Sequence, residues 1–310
     1  MTPVPTPDIS IIIVSWNVRE HLRACLASLP PHDSGVEIFV VDAASADGTP
    51  EMVRTDFPAV QLIASDENLG YSRGNNLALR QAHGRYAFIL NPDTVLVDAA
   101  LARMRAYLDA NPRVGVLGPQ LVLADQTVQP SRRRFPNLAT ALFESTWLQP
   151  LAPSGILGRY SAVDLPLDRP VEVDWLVGAA LLVRREVWQQ VGQLDEGFFM
   201  YSEELDWQRR IKGAGWKIVY FPQAQVQHFE AQSSGQAPAA THIRFNSSKV
   251  RYFRKYHGTA AAEALRWYLL GQFALQLVLE RLKGLVGHKR DLRRSRVAAY
   301  REVLRSRLKG

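Results

Sequence analysis

The run Ile9–Val14 is β-branched almost throughout, which predicts a strand buried on both faces. Beyond Ser15-Trp16-Asn17, the residues Leu22, Cys25, Leu26 and Leu29 fall on one helical face, and Pro30-Pro31 ends that helix. Val36–Val41 is a second buried strand, ending at Asp42. Thr49-Pro50 reads as an N-cap followed by proline in the first helical position. Val60–Ala64 is a third strand, and Ser72–His83 a helix closed by Gly84. Tyr86–Leu90 is a fourth strand, running into Asn91-Pro92-Asp93; Ala99–Leu108 is a helix and Val114–Leu117 a further strand.

This alternation predicts an α/β fold, a mostly parallel sheet with helices on both faces. In such sheets ligands bind beyond the carboxyl ends of the strands. Ser15–Asn17, Asp42 and Asn91–Asp93 all occupy such ends, so they are expected at one rim. After Pro119 the pattern breaks, and the proline-rich stretch Pro130–Pro170 reads as a long excursion packed on the domain. Asp174–Val183 is again strand-like, Arg184–Val191 and Glu203–Lys212 are helical, and Lys217–Phe221 and Gln225–Phe229 are strands, the second carrying His228. Ser233–Ala240 reads as mobile. From Ala260 the chain is helical, with an apolar run, Trp267–Leu279, too short to span a bilayer. That run is better read as amphipathic, lying on the body or on a membrane surface.

Composition is that of a globular chain: 310 residues, 47% hydrophobic and 22% charged. With Cys25 the single cysteine, there is no internal disulfide and no cysteine-rich metal site; a reducing compartment is expected. Met1–Asp8 lacks the basic start and apolar run of a signal peptide. The net charge of +7 is uneven: Arg281–Gly310 carries eleven Lys and Arg against two acids, leaving the rest about −2. A basic tail of this kind meets an anionic membrane surface, nucleic acid, or a partner subunit in a homodimer. It holds Tyr300 as its lone aromatic, so base stacking, and with it nucleic acid, is not expected.

Several residues carry candidate chemistry. Asp42 can accept from a base or ribose, or cap a turn. Asn68-Leu69-Gly70-Tyr71 and Gly74-Asn75-Asn76 enter a helix whose N–H groups can face an anion, or cap it in the ordinary way. Asp93 is a rim carboxylate or a turn aspartate. Glu203, Glu204 and Asp206 crowd three acids into four residues; this suits either a first helical turn or a general base of raised pKa. His228 is a metal ligand or a structural histidine. Arg132, within Ser131–Arg134, can grip a diphosphate or sit in a solvated basic loop.

Taken in order, these motifs resemble family 2 glycosyltransferases. Val14-Ser15-Trp16-Asn17, Val41-Asp42 with Ser45-Ala46-Asp47-Gly48-Thr49, Asn68-Leu69-Gly70-Tyr71 and Asn91-Pro92-Asp93 look like the donor half. Gly178-Ala179-Ala180, Leu194-Asp195-Glu196, Phe198-Phe199-Met200-Tyr201, Glu203-Glu204-Leu205-Asp206 and His228 look like the acceptor half. The branch it resembles most is the rhamnosyltransferase-like group acting on cell-surface polysaccharides. The resemblance implies a GT-A-type single domain with a Rossmann-like sheet plus C-terminal helices. The expected layout is a tail over 1–8, a donor-binding half over 9–118, an acceptor and catalytic half over 119–258, and a basic helical tail over 259–310.

It further implies an inverting, metal-dependent transferase. The enzyme moves a sugar, rhamnose or another deoxyhexose, from a nucleoside-diphosphate donor to a polysaccharide or lipid-linked glycan. Asp93 and His228 bind Mg²⁺ or Mn²⁺, Glu204 is the base with Glu203 in reserve, and Ser15, Asn17, Asp42, Asn68, Gly70, Asn75, Asn91, Arg132 and Asp206 serve the donor. The implied location is the cytoplasm, peripheral on the inner face of the plasma membrane. Three residues depart from the pattern: Asn91 replaces the first acid of Asp-x-Asp, Glu204 replaces an aspartate, and Ala43 replaces a common asparagine. The competing readings are a nucleotidyltransferase, which the glycine-free first loop Ser15–Arg19 disfavours, and a non-catalytic module working through its tail.

Overall fold

The computed structural model describes residues 7–31, 34–229, 237–285 and 289–309. In chain order the first elements are β1 (Ile9–Ser15), α1 (Arg19–Ala27), β2 (Val36–Ala43), α2 (Thr49–Asp56), β3 (Gln61–Ser65), α3 (Gly70–Leu79) and β4 (Tyr86–Leu90). Then come β5 (Thr94–Leu96), α4 (Ala100–Ala110), β6 (Val114–Val122), β7 (Val128–Gln129), β8 (Arg132–Arg133), α5 (Leu138–Phe143) and α6 (Ser154–Tyr160). The remainder is β9 (Val171–Val173), β10 (Trp175–Leu176), β11 (Ala180–Arg184), α7 (Arg185–Val191), α8 (Glu203–Gly213), β12 (Lys217–His228), α9 (Pro238–His257), α10 (Thr259–Leu285) and α11 (Arg290–Ser306).

The chain forms two compact units. The first holds Met1–Phe135, Arg159–Glu196 and Glu203–Ser233. Its main sheet runs β3-β2-β1-β4-β11-β6-β12-β5, with β7 added on β6 and β9 on β12. β3, β2, β1 and β4 are mutually parallel, β11 enters antiparallel between β4 and β6, and β6 and β12 are parallel. Side chains alternate between the two faces, as the pleat requires. Ile9, Ile11 and Ile13 face a core with Leu22 of α1, Met52 of α2 and Met104 of α4. Ile12, Phe39 and Ile89 face a second core with Ala78 of α3, Val187 of α7 and Ile211 of α8. Each fully buried isoleucine contributes about 1.5–3 kcal/mol, which is why this segment reads as a continuous apolar run rather than an alternating one.

Several elements differ from the sequence reading. Gly48, at φ +82°, precedes α2 in place of Thr49, and the Asp47 carboxylate takes both the N–H and the hydroxyl of Thr49. Asp174–Val183 is two strands, not one. Lys217–Phe221 and Gln225–Phe229 merge into the single strand β12, whose pairing with β6 shifts register between Phe221 and Gln225.

The second unit holds Pro136–Gly158, Gly197–Ser202 and Ser234–Gly310. The expected boundary at 259 therefore falls inside it. α9, α10 and α11 pack on one another. α11 is not a free tail: Val303 and Leu308 are fully buried, and the Tyr300 ring packs at a tilt against His242 and Phe273. No helix among the described residues is long and apolar enough to cross a membrane. The segment read as mobile, Ser233–Ala240, lies outside the described residues up to Gln236.

Candidate active site

The rim predicted from strand ends forms in the first unit. Register places Ser15 beside Asp42 and Ile13 beside Leu90, so the loops after β1, β2 and β4 leave the sheet together. Asp42 is buried; its Oδ2 accepts from the Ser45 N–H at 2.9 Å, and its Oδ1 has no hydrogen-bond partner. Burial pushes its pKa up, with Ser45 opposing. Ser15 Oγ is likewise buried and unpartnered. Asn17, held at φ +51°, accepts from the Ala46 N–H at 2.8 Å and donates its own N–H to Ser45 Oγ at 2.9 Å. Its side chain thus ties the β1 loop to the β2 loop.

Asn68 Oδ1 accepts from the Gly70 N–H at 3.0 Å, and Gly70 opens α3 at φ +69°, a conformation that favours glycine. Gly74 lets α3 lie on β1, since a Cβ there would stand 2.9 Å from both Val14 methyls. Asn75 is buried, donates to the Tyr71 carbonyl at 2.9 Å, and leaves its Oδ1 unpartnered.

Asp93 and His228 form a corner. β12 pairs with β5 so that His228 lies opposite Thr94, and the Phe229 N–H donates to the Asp93 carbonyl at 2.9 Å. His228 Nε2 stands 3.3 Å from Asp93 Oδ1, and both side chains are buried. On the other side of the ring, Nδ1 lies 2.9 Å from Gln129 Oε1. An amide oxygen accepts only, so Nδ1 carries the hydrogen. In the neutral ring, Nε2 then turns a lone pair toward the carboxylate, and two acceptors converge. Asn91, two residues before Asp93 in the turn after β4, is held through its backbone: its N–H donates to the Ala179 carbonyl and its own carbonyl accepts from Thr94 Oγ1. Among the described residues no group of three or more His, Cys, Asp or Glu is placed to hold a metal ion; the corner brings together one carboxylate and one imidazole.

Glu203 and Glu204 open α8, directly after Tyr201 and Ser202, both at positive φ. Two successive non-glycine residues in that region store backbone strain, of the kind that collects at functional sites. The helix is anchored firmly. Gln208 exchanges two hydrogen bonds with the backbone of Leu176, and Trp207 Nε1 donates to the Gly192 carbonyl. Glu203 Oε2 and Glu204 Oε2 are buried without partners. Burial holds the Glu203 carboxyl well above the usual range, and the charge of Glu204 adds to this. Burial also raises Glu204, opposed by N–H groups that include that of Gly178. The Tyr71 hydroxyl donates to the Gly178 carbonyl at 3.0 Å. Its pKa is raised by burial first, then by the charges of Glu203, Glu204 and Asp93. Tyr71 therefore lies within the electrostatic reach of both the acids and the corner.

Two residues expected at the donor are spent on the frame instead. Arg132 is buried on β8, its Nη1 donating to the Leu165 and Pro166 carbonyls at 2.6 and 2.7 Å, with its guanidinium over the Tyr220 ring. Asp206, fully buried, pairs with Arg210 at 3.0 Å, and Arg210 in turn holds the Val191 and Gln193 carbonyls. Sequence reasoning missed Gln129, which no motif marks because it reaches His228 only across the sheet. Tyr71 and Gly178 lie within recognisable motifs, but nothing in the sequence assigns a role to either.

The family model described as glycosyl transferase family 2 matches residues 10–164. The N-acetylglucosaminyl-diphospho-decaprenol L-rhamnosyltransferase of Mycobacterium tuberculosis is 33% identical over 290 residues, covering 87% of this chain and 92% of that protein. The rhamnosyltransferase WbbL of Escherichia coli K12 is 24% identical over 71% of this chain and 82% of its own length. A mannosyltransferase from Pyrobaculum calidifontis, solved with GDP-Man and Mn²⁺, superposes with a TM-score of 0.56 at 19% identity, over 99% of this chain and 88% of that one. GalNAc-T7, solved with UDP, GalNAc and Mn²⁺, gives a TM-score of 0.58 at 14% identity, over 80% of this chain and 48% of that one. The chain belongs to glycosyl transferase family 2, as an inverting, rhamnosyltransferase-like enzyme on the GT-A fold.

Proposed function

We propose that this protein transfers rhamnose or a related deoxyhexose from a nucleoside-diphosphate donor to a lipid-linked or polysaccharide glycan, at the cytoplasmic face of a membrane. The Mycobacterium relative, similar over nearly its whole length, supports the lipid-linked acceptor. The observation that carries the chemistry is the corner: Asp93 Oδ1 and His228 Nε2 stand 3.3 Å apart while Gln129 occupies the far nitrogen. A buried carboxylate and an imidazole nitrogen turned toward each other suit a divalent ion such as Mn²⁺ or Mg²⁺. Such an ion, when bound, neutralises the charge that develops on the leaving diphosphate.

The protein's own residues do the rest. Asp42 Oδ1 and Ser15 Oγ, buried and unpartnered, accept from and donate to the nucleoside. The loop entering α3, with Asn68, Gly70 and Asn75, and the turn at Asn91 flank the donor. Asn17 acts indirectly, by shaping the loop after β2. Glu204, held on Gly178, takes the proton from the acceptor hydroxyl as its oxygen bonds to the anomeric carbon. The bond from that carbon to the diphosphate breaks, and configuration inverts. Burial raises the Glu204 proton affinity, as a general base requires, and the Glu204 charge in turn holds Glu203 protonated beside it.

The test is a panel of nucleoside-diphosphate sugars assayed for transfer and for thermal stabilisation, with and without Mn²⁺. Asp93→Ala is expected to lose Mn²⁺-dependent stabilisation and turnover while keeping its melting temperature without ligand. Wild-type turnover in Asp93→Ala would remove the corner from the mechanism.

A further inference from the structure

The second unit carries a surface that the transfer reaction does not use. α10 turns one exposed face outward, bearing Trp267, Gly271, Leu275, Val278 and Leu282. Spacings of four, four, three and four put these residues on one side of a helix. Trp267 is 64% exposed and Leu282 54% exposed. No charged residue interrupts the stripe until Arg281 and Lys283 at its far end. A continuous exposed apolar face of this kind marks an interaction surface.

Beside that end, α10 and α11 enclose a cleft of about 770 Å³, lined by Glu280, Arg281, Arg290, Arg293, Arg294 and Arg301 among others. Five of these are arginines against one acid. Arg293 is committed to Glu280 at 2.6 and 2.9 Å. Arg281, Arg290, Arg294 and Arg301 make no hydrogen bond or ion pair with any described residue. Four unneutralised guanidiniums around one cleft call for anions that several forks can share, and phosphate is the group whose geometry matches the guanidinium fork.

We infer that α10 and α11 dock this protein on an anionic bilayer, the arginine cleft receiving lipid phosphates and the apolar stripe of α10 lying among the acyl chains at the interface. The stripe lies opposite the packed face of α10, which carries Leu265, Leu269, Phe273 and Leu277, with Arg281 to its side, so the stripe enters the interface while arginines beside it reach the phosphates. The two features need each other: the stripe alone would fit another protein, and the cleft alone a soluble phosphate. The inference rests on the proposal of a membrane-borne acceptor, but its test does not, because it reads binding to lipid alone.

Full-length protein is sedimented with vesicles of phosphatidylcholine alone and with vesicles containing 30% phosphatidylglycerol. Binding is expected only to the latter, weakening as salt rises. Arg294→Ala/Arg301→Ala should lower the partition coefficient on the order of 30-fold, at about fivefold for each basic residue. Leu275→Ser/Val278→Ser/Leu282→Ser should also lower it, with transfer to a water-soluble acceptor unchanged. Brominated lipid should quench wild-type fluorescence, and less so in Trp267→Phe. Equal binding to both vesicle types, or wild-type partitioning in either set of variants, overturns the inference. So does a stripe variant that turns a dimer into a monomer with vesicle binding unchanged, since the surface would then be a self-interface. Binding of inorganic phosphate in the cleft without any vesicle binding overturns it as well. Failure of transfer with vesicle binding intact would count against the proposed substrates and leave the docking surface standing.

Discussion

Gly178→Ala separates the two candidate bases. A Cβ built at Gly178 stands 3.2 Å from both Cβ and Cγ of Glu204, and 3.6 Å from its Cδ. Gly178 does not sit at positive φ, so alanine costs no backbone strain there. Its N–H, which supports the Glu204 carboxylate, is retained. An ordinary contact is a few tenths of an ångström longer, so the Glu204 side chain must retreat by about 0.3 Å. Misplacement by about 1 Å costs on the order of 100-fold in rate, or about 2.7 kcal/mol. Scaled to 0.3 Å, the loss is about 0.8 kcal/mol, a three- to fivefold fall in kcat. The donor KM should hold, because Asp42 and the corner are untouched. Initial rates at saturating donor and acceptor measure this, with a melting curve to show the fold intact. An unchanged kcat would show that Glu204 is not the base. A matching fall in Gly178→Ala and Glu204→Gln, rather than a far larger one in the latter, would show that the contact is structural.

Three further outcomes are expected. Gln129→Leu removes the acceptor that orients His228, and should weaken Mn²⁺ binding 10- to 100-fold, read by Mn²⁺ titration of thermal stability. The rising limb of kcat/KM against pH should lie above the ordinary carboxylate range, because the base must lose its proton and burial resists that loss. Glu203→Gln mimics the protonated form that burial and the Glu204 charge impose on Glu203, and should leave the limb in place, whereas a limb moved to lower pH would show that Glu203 carries the titrating charge; the raised pKa values also make stability fall, not rise, as pH climbs from the unfolded carboxylate pKa through the folded one. Arg132→Met should lower stability by about 2–4 kcal/mol by stranding the Leu165 and Pro166 carbonyls, and leave the donor KM near wild type in the folded fraction. A donor KM raised tenfold at unchanged stability would restore Arg132 to the diphosphate.

Much of this was legible along the chain. A buried parallel strand has to be apolar on both faces, so Ile9–Val14, Val36–Val41 and Tyr86–Leu90 stand out without any three-dimensional knowledge. Residues just past such strands have to share a rim, because parallel strands end on the same side. Ser15, Asp42 and Asn91 through Asp93 were therefore placeable from sequence, and their order carried the family. Tertiary structure decided which polar groups gather at that rim. Arg132 and Asp206 look as available in sequence as Asp93 does, but buried carbonyls and Arg210 claim them, since a buried charge must find partners nearby. Gln129 meets His228 only because β7 pairs with β6 and β6 with β12, contacts that no local pattern encodes. The basic tail shows the same division. Its charge and its apolar stripe are sequence properties, but folding α11 back onto α9 and α10 decides which arginines line a cleft and which leucines stay exposed.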